Sequence, residues 1–263
     1  MSAPLQLANT GSLRVGINLG NALLASREAD GNPRGIAVDL AQELSRRLGV
    51  RLEIVGYDTA GRMADGAKAG AWDVAFLGID PAREEEILFT APYLQIDTTY
   101  LVPVFSPLYN VADVDRAGLR ISVSEKSAYD LFLTRHLHQA QLVRTPGVAA
   151  SVDVFFSEKL DALAGLKPFL MEVAEKHPRT RLLDGRFTVV SQAVGTPRGH
   201  DDAARYLCDF VEEIKTSGMV AKTIDANGVR GVSVAPLASR HVERRSIGPN
   251  SQPHMRPGRH KPR

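Results

Sequence analysis

The stretch Trp72 to Ile79 reads WDVAFLGI and runs directly into Asp80-Pro81-Ala82-Arg83. Its apolar run is broken only by Asp73, is too short for a buried helix, and has the length of a strand covered on both faces. Such a strand predicts an α/β sheet. Before it, small and charged residues around Ala67, Lys68 and Ala69 run into Gly70, a residue that stops helices cheaply. After it the chain must turn, because Pro81 lacks an N–H and fixes its own φ, while Asp80 can cap the segment beginning at Ala82. Arg83 then lies just beyond the C-terminal end of a buried parallel strand, where open α/β sheets hold ligands, and its planar fork matches a carboxylate or phosphate. Spacing alone leaves a second reading open, in which Arg83 pairs with Glu84, Glu85 or Glu86 on a solvated turn.

The flanking sequence alternates strand and helix patterns. Leu13 to Asn18 reads as a first strand and Asp30-Gly31-Asn32-Pro33 as a turn. From Ile36 the apolar positions Val38, Leu40, Ala41, Leu44 and Leu48 recur at helical spacing until Gly49. Val50 to Val55 is the next strand and Thr59 to Ala69 the next helix. After a β-rich run, Thr98 to Val104, the pattern restarts. Strands at Leu119 to Ser124, Gln141 to Arg144 and Leu160 to Ala164 alternate with helices at Ala128 to His138, Ala149 to Lys159 and Pro168 to Lys176. Following a strand around Arg181 to Leu183, the run Val189 to Gly195 returns the chain to the first half, where Asp201 to Ser217 forms a long amphipathic helix. The restart predicts two lobes, residues 12–102 with 193–236 and residues 103–192, each with its own sheet. They are expected to be joined by two crossings near Tyr100 to Pro103 and Val190 to Gly195.

A chain of 263 residues with 44% hydrophobic and 24% charged residues can bury two such cores. No run of eighteen apolar residues is present, so no membrane-spanning helix is expected. Charge is concentrated at the C-terminus, where seven Lys or Arg stand against one acid from Ser239 onward, leaving the body near −4 although the total is +2. With Pro249, Pro253, Pro257 and Pro262 and little apolar content, residues 237–263 read as a disordered basic tail. The tail has no aromatic residue to stack on bases, and no nucleic-acid partner is expected. The single cysteine, Cys208, excludes an intramolecular disulfide and is expected to be buried in its helix.

Ser127 follows a strand and precedes a helix, so its hydroxyl and the first helical N–H groups could face an anion; a plain N-cap fits equally. No Gly-x-Ser-x-Gly elbow, His-Glu-x-x-His motif or Walker-type phosphate loop occurs. His136 and His138 stand two apart, on different helix faces, and predict no metal pair.

Asp73-Val74, the apolar strand, Asp-Pro-Ala-Arg and Phe89-Thr90-Ala91-Pro92-Tyr93 resemble the type II periplasmic solute-binding proteins, in particular the amino-acid-binding branch of ABC importers. The resemblance extends to Leu13-Arg14-Val15-Gly16, to Gly31 through Leu40 and to Gly118 through Tyr129, and covers about residues 12 to 232. It implies a two-lobed α/β periplasmic-binding-protein type II fold with the ligand in the cleft between the lobes. Arg83 would grip a ligand carboxylate, the Ser127 turn would face it across the cleft, and Asp80, Gly78, Lys126, Asn18, Asn21 and Gln192 would complete the ligand site. The implied partners are a small anionic or zwitterionic solute and an ABC permease. The protein is expected to be a monomer with neither cofactor nor metal.

By this resemblance the protein is periplasmic, although MSAPLQLANTG carries no secretory pattern and leaves the cytoplasm open. Several positions depart from the family pattern. The usual Gly-Thr or Gly-Ser is Lys126-Ser127, and the common Thr of the Arg turn is Asp80. The carboxylate that receives a ligand ammonium a few positions after Asp-Ala is absent, since Asp161-Ala162-Leu163-Ala164-Gly165 leads to Leu166. Asn21-Ala22-Leu23-Leu24 offers no aromatic to cover the ligand. The expected function is therefore binding of an amino acid or related organic acid. A dehydratase or lyase using Glu125 or Asp80 as cleft base, and a ligand-sensing domain, are the alternatives. Because the tail cannot bury a core, truncation after Pro236 is expected to leave the melting temperature nearly unchanged; a large drop would show that the tail docks.

Overall fold

A computed structural model of the chain describes residues 7–8 and 11–238; of the tail expected over residues 237–263, all from Ser239 lies outside the described residues. In chain order the first half comprises β1 (Ser12–Asn18), β2 (Ser26–Arg27), β3 (Pro33–Arg34), α1 (Ile36–Leu48), β4 (Arg51–Tyr57), α2 (Ala60–Asp65), β5 (Val74–Gly78), α3 (Pro81–Glu84), β6 (Ile87–Phe89) and β7 (Leu94–Pro103). The second half begins with β8 (Arg120–Ser124), α4 (Ala128–His136), β9 (Gln141–Thr145), α5 (Val148–Ser157), β10 (Ala162–Leu166), α6 (Lys167–Lys176) and β11 (Thr180–Leu182). It ends with β12 (Thr188–Pro197), α7 (Asp201–Thr216), α8 (Met219–Ala226) and β13 (Val232–Val234).

In the first lobe β1 lies between β4 and β5, parallel to both, with Leu13 opposite Leu52 and Ile17 opposite Phe76. All five residues of β5 are buried, as a strand covered on both faces requires. Asp73 is tolerated at its start because its carboxylate accepts from the backbone N–H of Arg14 at 2.9 Å and from the Arg14 guanidinium at 2.6 Å. Helix α1 buries Ile36, Val38, Leu40, Ala41 and Leu44 and stops at Gly49, whose φ of 66° suits glycine. Helix α2 covers six residues rather than the eleven expected. Thr59 caps it, and after the C-cap Gly66 the chain passes through turns to Gly70 and into β5.

The second lobe repeats the plan, with β10, β8 and β9 parallel and α5 and α6 packed on them. Its sheet is not separate from the first, contrary to expectation. Strand β12 runs antiparallel to β5, then pairs with β7 from Gln192 opposite Leu94 to Thr188 opposite Thr98, and β7 continues against β10. The hydrogen-bonded path is continuous because the two crossing strands pair with each other. Elements from late in the chain join early ones, since β12 and β13 add to β5 and β7 while α7 and α8 pack beside α1.

Cys208 is exposed on α7, contrary to expectation. The buried stripe of that helix is Ala203, Leu207, Phe210, Val211 and Ile214, and Cys208 falls beside it. Among the described residues no helix is long and apolar enough to cross a membrane.

Trp72 anchors a small core of its own with Met63, Ala75, Leu77 and Ile87, and its indole donates to the Met63 carbonyl at 2.8 Å. Trp72→Ala is expected to lower unfolding free energy by about 3–5 kcal/mol, measured by chemical denaturation. A loss under about 1 kcal/mol would show that this core does not support the cleft strand.

Candidate ligand-binding cleft

Arg83 reaches the cleft because three sequence features act together. Strand β5 ends at Gly78, Pro81 occupies the first turn of α3, and the Asp80 carboxylate caps it by accepting from Ala82 N–H at 2.9 Å. The Arg83 side chain then folds back into the protein and is 6% exposed. Its guanidinium donates to the Gly78 carbonyl at 2.6 Å and, across the cleft, to the Lys126 carbonyl at 2.9 Å. Glu84, Glu85 and Glu86 do not pair with it. Burial pulls its pKa down to about 10, partly opposed by Asp80 and Asp65, so it remains charged at neutral pH.

Arg83 lines a cavity of about 60 Å³ between the lobes, room for roughly four waters at ~15 Å³ apiece. Of the residues predicted for the site, Asn18, Asn21, Gly78, Ser127 and Gln192 also line it. Ser127 is the N-cap of α4 as well, accepting from Asp130 N–H at 3.1 Å, so the plain-cap role and the cleft position hold together. Gly78 leaves little room for a side chain, because a Cβ there would stand 3.1 Å from both Ala128 and Val190, and these would have to give by a few tenths of an ångström.

Asp80 and Lys126 do not line this cavity. The Asp80 carboxylate, 3% exposed, forms a two-pronged ion pair with Arg135 of α4 at 3.1 and 2.7 Å. Lys126 stands behind Arg83. Its φ of 53° is in the left-handed region that favours glycine. Its N–H donates to the buried Asp130 carboxylate at 2.7 Å, and its ammonium pairs with Asp65 of the first lobe at 2.9 Å. Glu125 is exposed and outside the cavity lining.

On the second wall the sequence pointed to Ser127 and to the Leu166 position, and missed Tyr129 and Phe169. Tyr129, Leu166 and Phe169 line the cavity from the second lobe, with Phe76 and Met63 from the first. Phe169 supplies an aromatic where the first loop has none. Burial pushes the Tyr129 phenol up to about 12, opposed by hydrogen bonding to Ser127 and Ser124. It is therefore a neutral hydroxyl at physiological pH. Leu166, already marked in the sequence as standing where the family pattern has a carboxylate, is the last residue of buried strand β10, the position at which such sheets present side chains to ligands.

Three contacts thus tie the lobes: Arg135 with Asp80, Lys126 with Asp65 and Arg83 with the Lys126 carbonyl. Arg135→Ala leaves a buried carboxylate without its cation and is expected to shift the ligand-free protein toward a more open form. Small-angle scattering of the ligand-free variant should show a larger radius of gyration than wild type, and equal radii would remove this pair from closure.

Residues 13–227 match the model of the bacterial extracellular solute-binding proteins, family 3. A cyclohexadienyl dehydratase of Pseudomonas aeruginosa is 23% identical over 235 residues, covering 84% of each chain. The solved structure of a solute receptor for L-cysteine from Neisseria gonorrhoeae superposes with a TM-score of 0.76 at 19% identity, covering 87% of this chain and 95% of the other. The ancestral amino acid-binding protein AncCDT-1, a precursor of cyclohexadienyl dehydratase, gives a TM-score of 0.73 at 20% identity, covering 86% and 99%. These likenesses establish the two-lobed α/β periplasmic-binding fold, and with the match of the family model over most of its length the chain belongs to the bacterial extracellular solute-binding proteins of family 3.

Proposed function

We propose that the protein binds a small carboxylate-bearing solute, an amino acid or related organic acid, in the interlobe cleft and delivers it to an ABC permease from the periplasmic side. The lobes in this reading are residues 12–102 with 193–236 and residues 103–192, acting as a monomer without cofactor. The observation that carries it is the buried Arg83 guanidinium. It faces the cavity, and among the described residues no carboxylate forms an ion pair with it. A buried cation of this kind is stabilised by an anion, and a planar fork suits a carboxylate. The Ser127 turn would meet the same ligand from the other lobe, so that binding favours the closed form by the difference in contacts between closed and open states. Gly78, Asn18, Asn21 and Gln192 would complete its surroundings. Lys126 would act through its backbone and Asp80 through Arg135, rather than by touching the ligand.

A second reading, a dehydratase or lyase in the same cleft, draws on the Pseudomonas relative. The cavity offers it little acid–base chemistry. Neither Glu125 nor Asp80 lines it, and Asp58, the carboxylate residue that does, has a side chain 89% exposed beside Arg62 at 3.8 Å. Binding without turnover is the reading preferred here.

Mass spectrometry of small molecules released on mild denaturation should identify a carboxylate. Arg83→Ala should then weaken its binding by about 2–5 kcal/mol in calorimetry, and Arg83→Lys by less, since it keeps the charge but loses the fork. Unchanged affinity in the Ala variant would remove Arg83 from the site. Conversion of the bound compound to product by wild type would favour the lyase reading.

A further inference from the structure

The charges of the cavity are unbalanced in a way that bears on its ligand. Arg83 contributes a buried positive charge. The hydroxyls of Tyr129, Ser124 and Ser127 are neutral, as are the amides of Asn18, Asn21 and Gln192. Among the described residues no Lys or His lines the cavity, and the one carboxylate residue there, Asp58, keeps its side chain in solvent beside Arg62. A single carboxylate on the ligand therefore cancels the charge of the site. A zwitterion would bring an ammonium that loses its water and meets neutral oxygens only, with no buried carboxylate to offset it.

The shape of the wall agrees with the charge. From the second lobe the cavity is lined by Leu166, 7% exposed, and by Phe169 and Val148. The body of the ligand thus meets apolar side chains, and the amides and hydroxyls can receive an uncharged oxygen substituent. Resting on the reading of the cleft as a carboxylate site, we propose that its ligand is a short monocarboxylic acid without an amino group, of the 2-oxo or 2-hydroxy acid class, and that Leu166 sets the preference against α-amino acids.

The test uses matched skeletons, alanine with pyruvate and lactate, and leucine with 4-methyl-2-oxopentanoate, titrated into wild-type protein by calorimetry. At least one oxo or hydroxy acid is expected to bind at least about tenfold tighter than its amino acid. Leu166→Glu, which adds a carboxylate to that wall, is expected to shift the ratio toward the amino acid by about tenfold or more. Thermal unfolding of the variant checks that it is folded, and the wild-type ratios stand without it. An amino acid binding as tightly as its oxo acid or tighter would overturn this inference and leave the carboxylate reading in place. Binding of no member of either set would overturn both.

Discussion

One guanidinium, placed between two carbonyls that belong to different lobes, sets the conditions the rest of the cleft must meet. For Arg83 to reach the Gly78 carbonyl, the chain must reverse within a few residues of the end of β5, and the Asp80 cap with Pro81 in the first turn achieves this. For it to reach Lys126, the second lobe must approach closely. That approach is possible because Gly78 and Gly61 carry no side chain; a Cβ on Gly61 would stand 2.6 Å from the Lys126 Cβ. The left-handed backbone of Lys126 turns its carbonyl toward Arg83, and the strain of about 1–2 kcal/mol is opposed by the Asp130 carboxylate holding its N–H.

Local sequence carried much of the architecture. The helix from Ile36 to Leu48 was legible to the residue because its apolar spacing and Gly49 act within the helix itself. The buried strand before Asp80-Pro81 and the cap at Asp80 were legible for the same reason. What escaped depends on partners distant in sequence. The pairing of Asp80 with Arg135 spans both lobes, and no spacing rule joins residues 55 positions apart. Tyr129 and Phe169 look like ordinary residues of amphipathic helices until the second lobe folds over the first. The three-residue strand β6 and the helix α8 are short and acquire definition from β12 and from α1 and α7. Asp73 looked like a blemish in an apolar run because Arg14, its partner, lies 59 residues earlier.

The family setting and the cleft chemistry point to restraint as much as to capability. A solute-binding protein and a dehydratase can share this fold, since function resides in the site rather than in the sheet. Here two of the charged pairs near the cavity hold the lobes, Asp80 with Arg135 and Lys126 with Asp65. Among the described residues that leaves Arg83 as the one buried charge lining the cavity.

The ties between the lobes also bear on what occupancy can signal. Because these contacts contribute to closure, cargo needs to supply only part of the closing free energy, and apparent affinity rises with the fraction already closed. The same contacts narrow the difference in shape between empty and loaded protein. A membrane partner that recognised shape alone would be engaged by unloaded copies, so discrimination would fall to the rate at which these ion pairs open. Because Lys126 and Asp65 are exposed, that rate would depend on the ionic strength of the compartment.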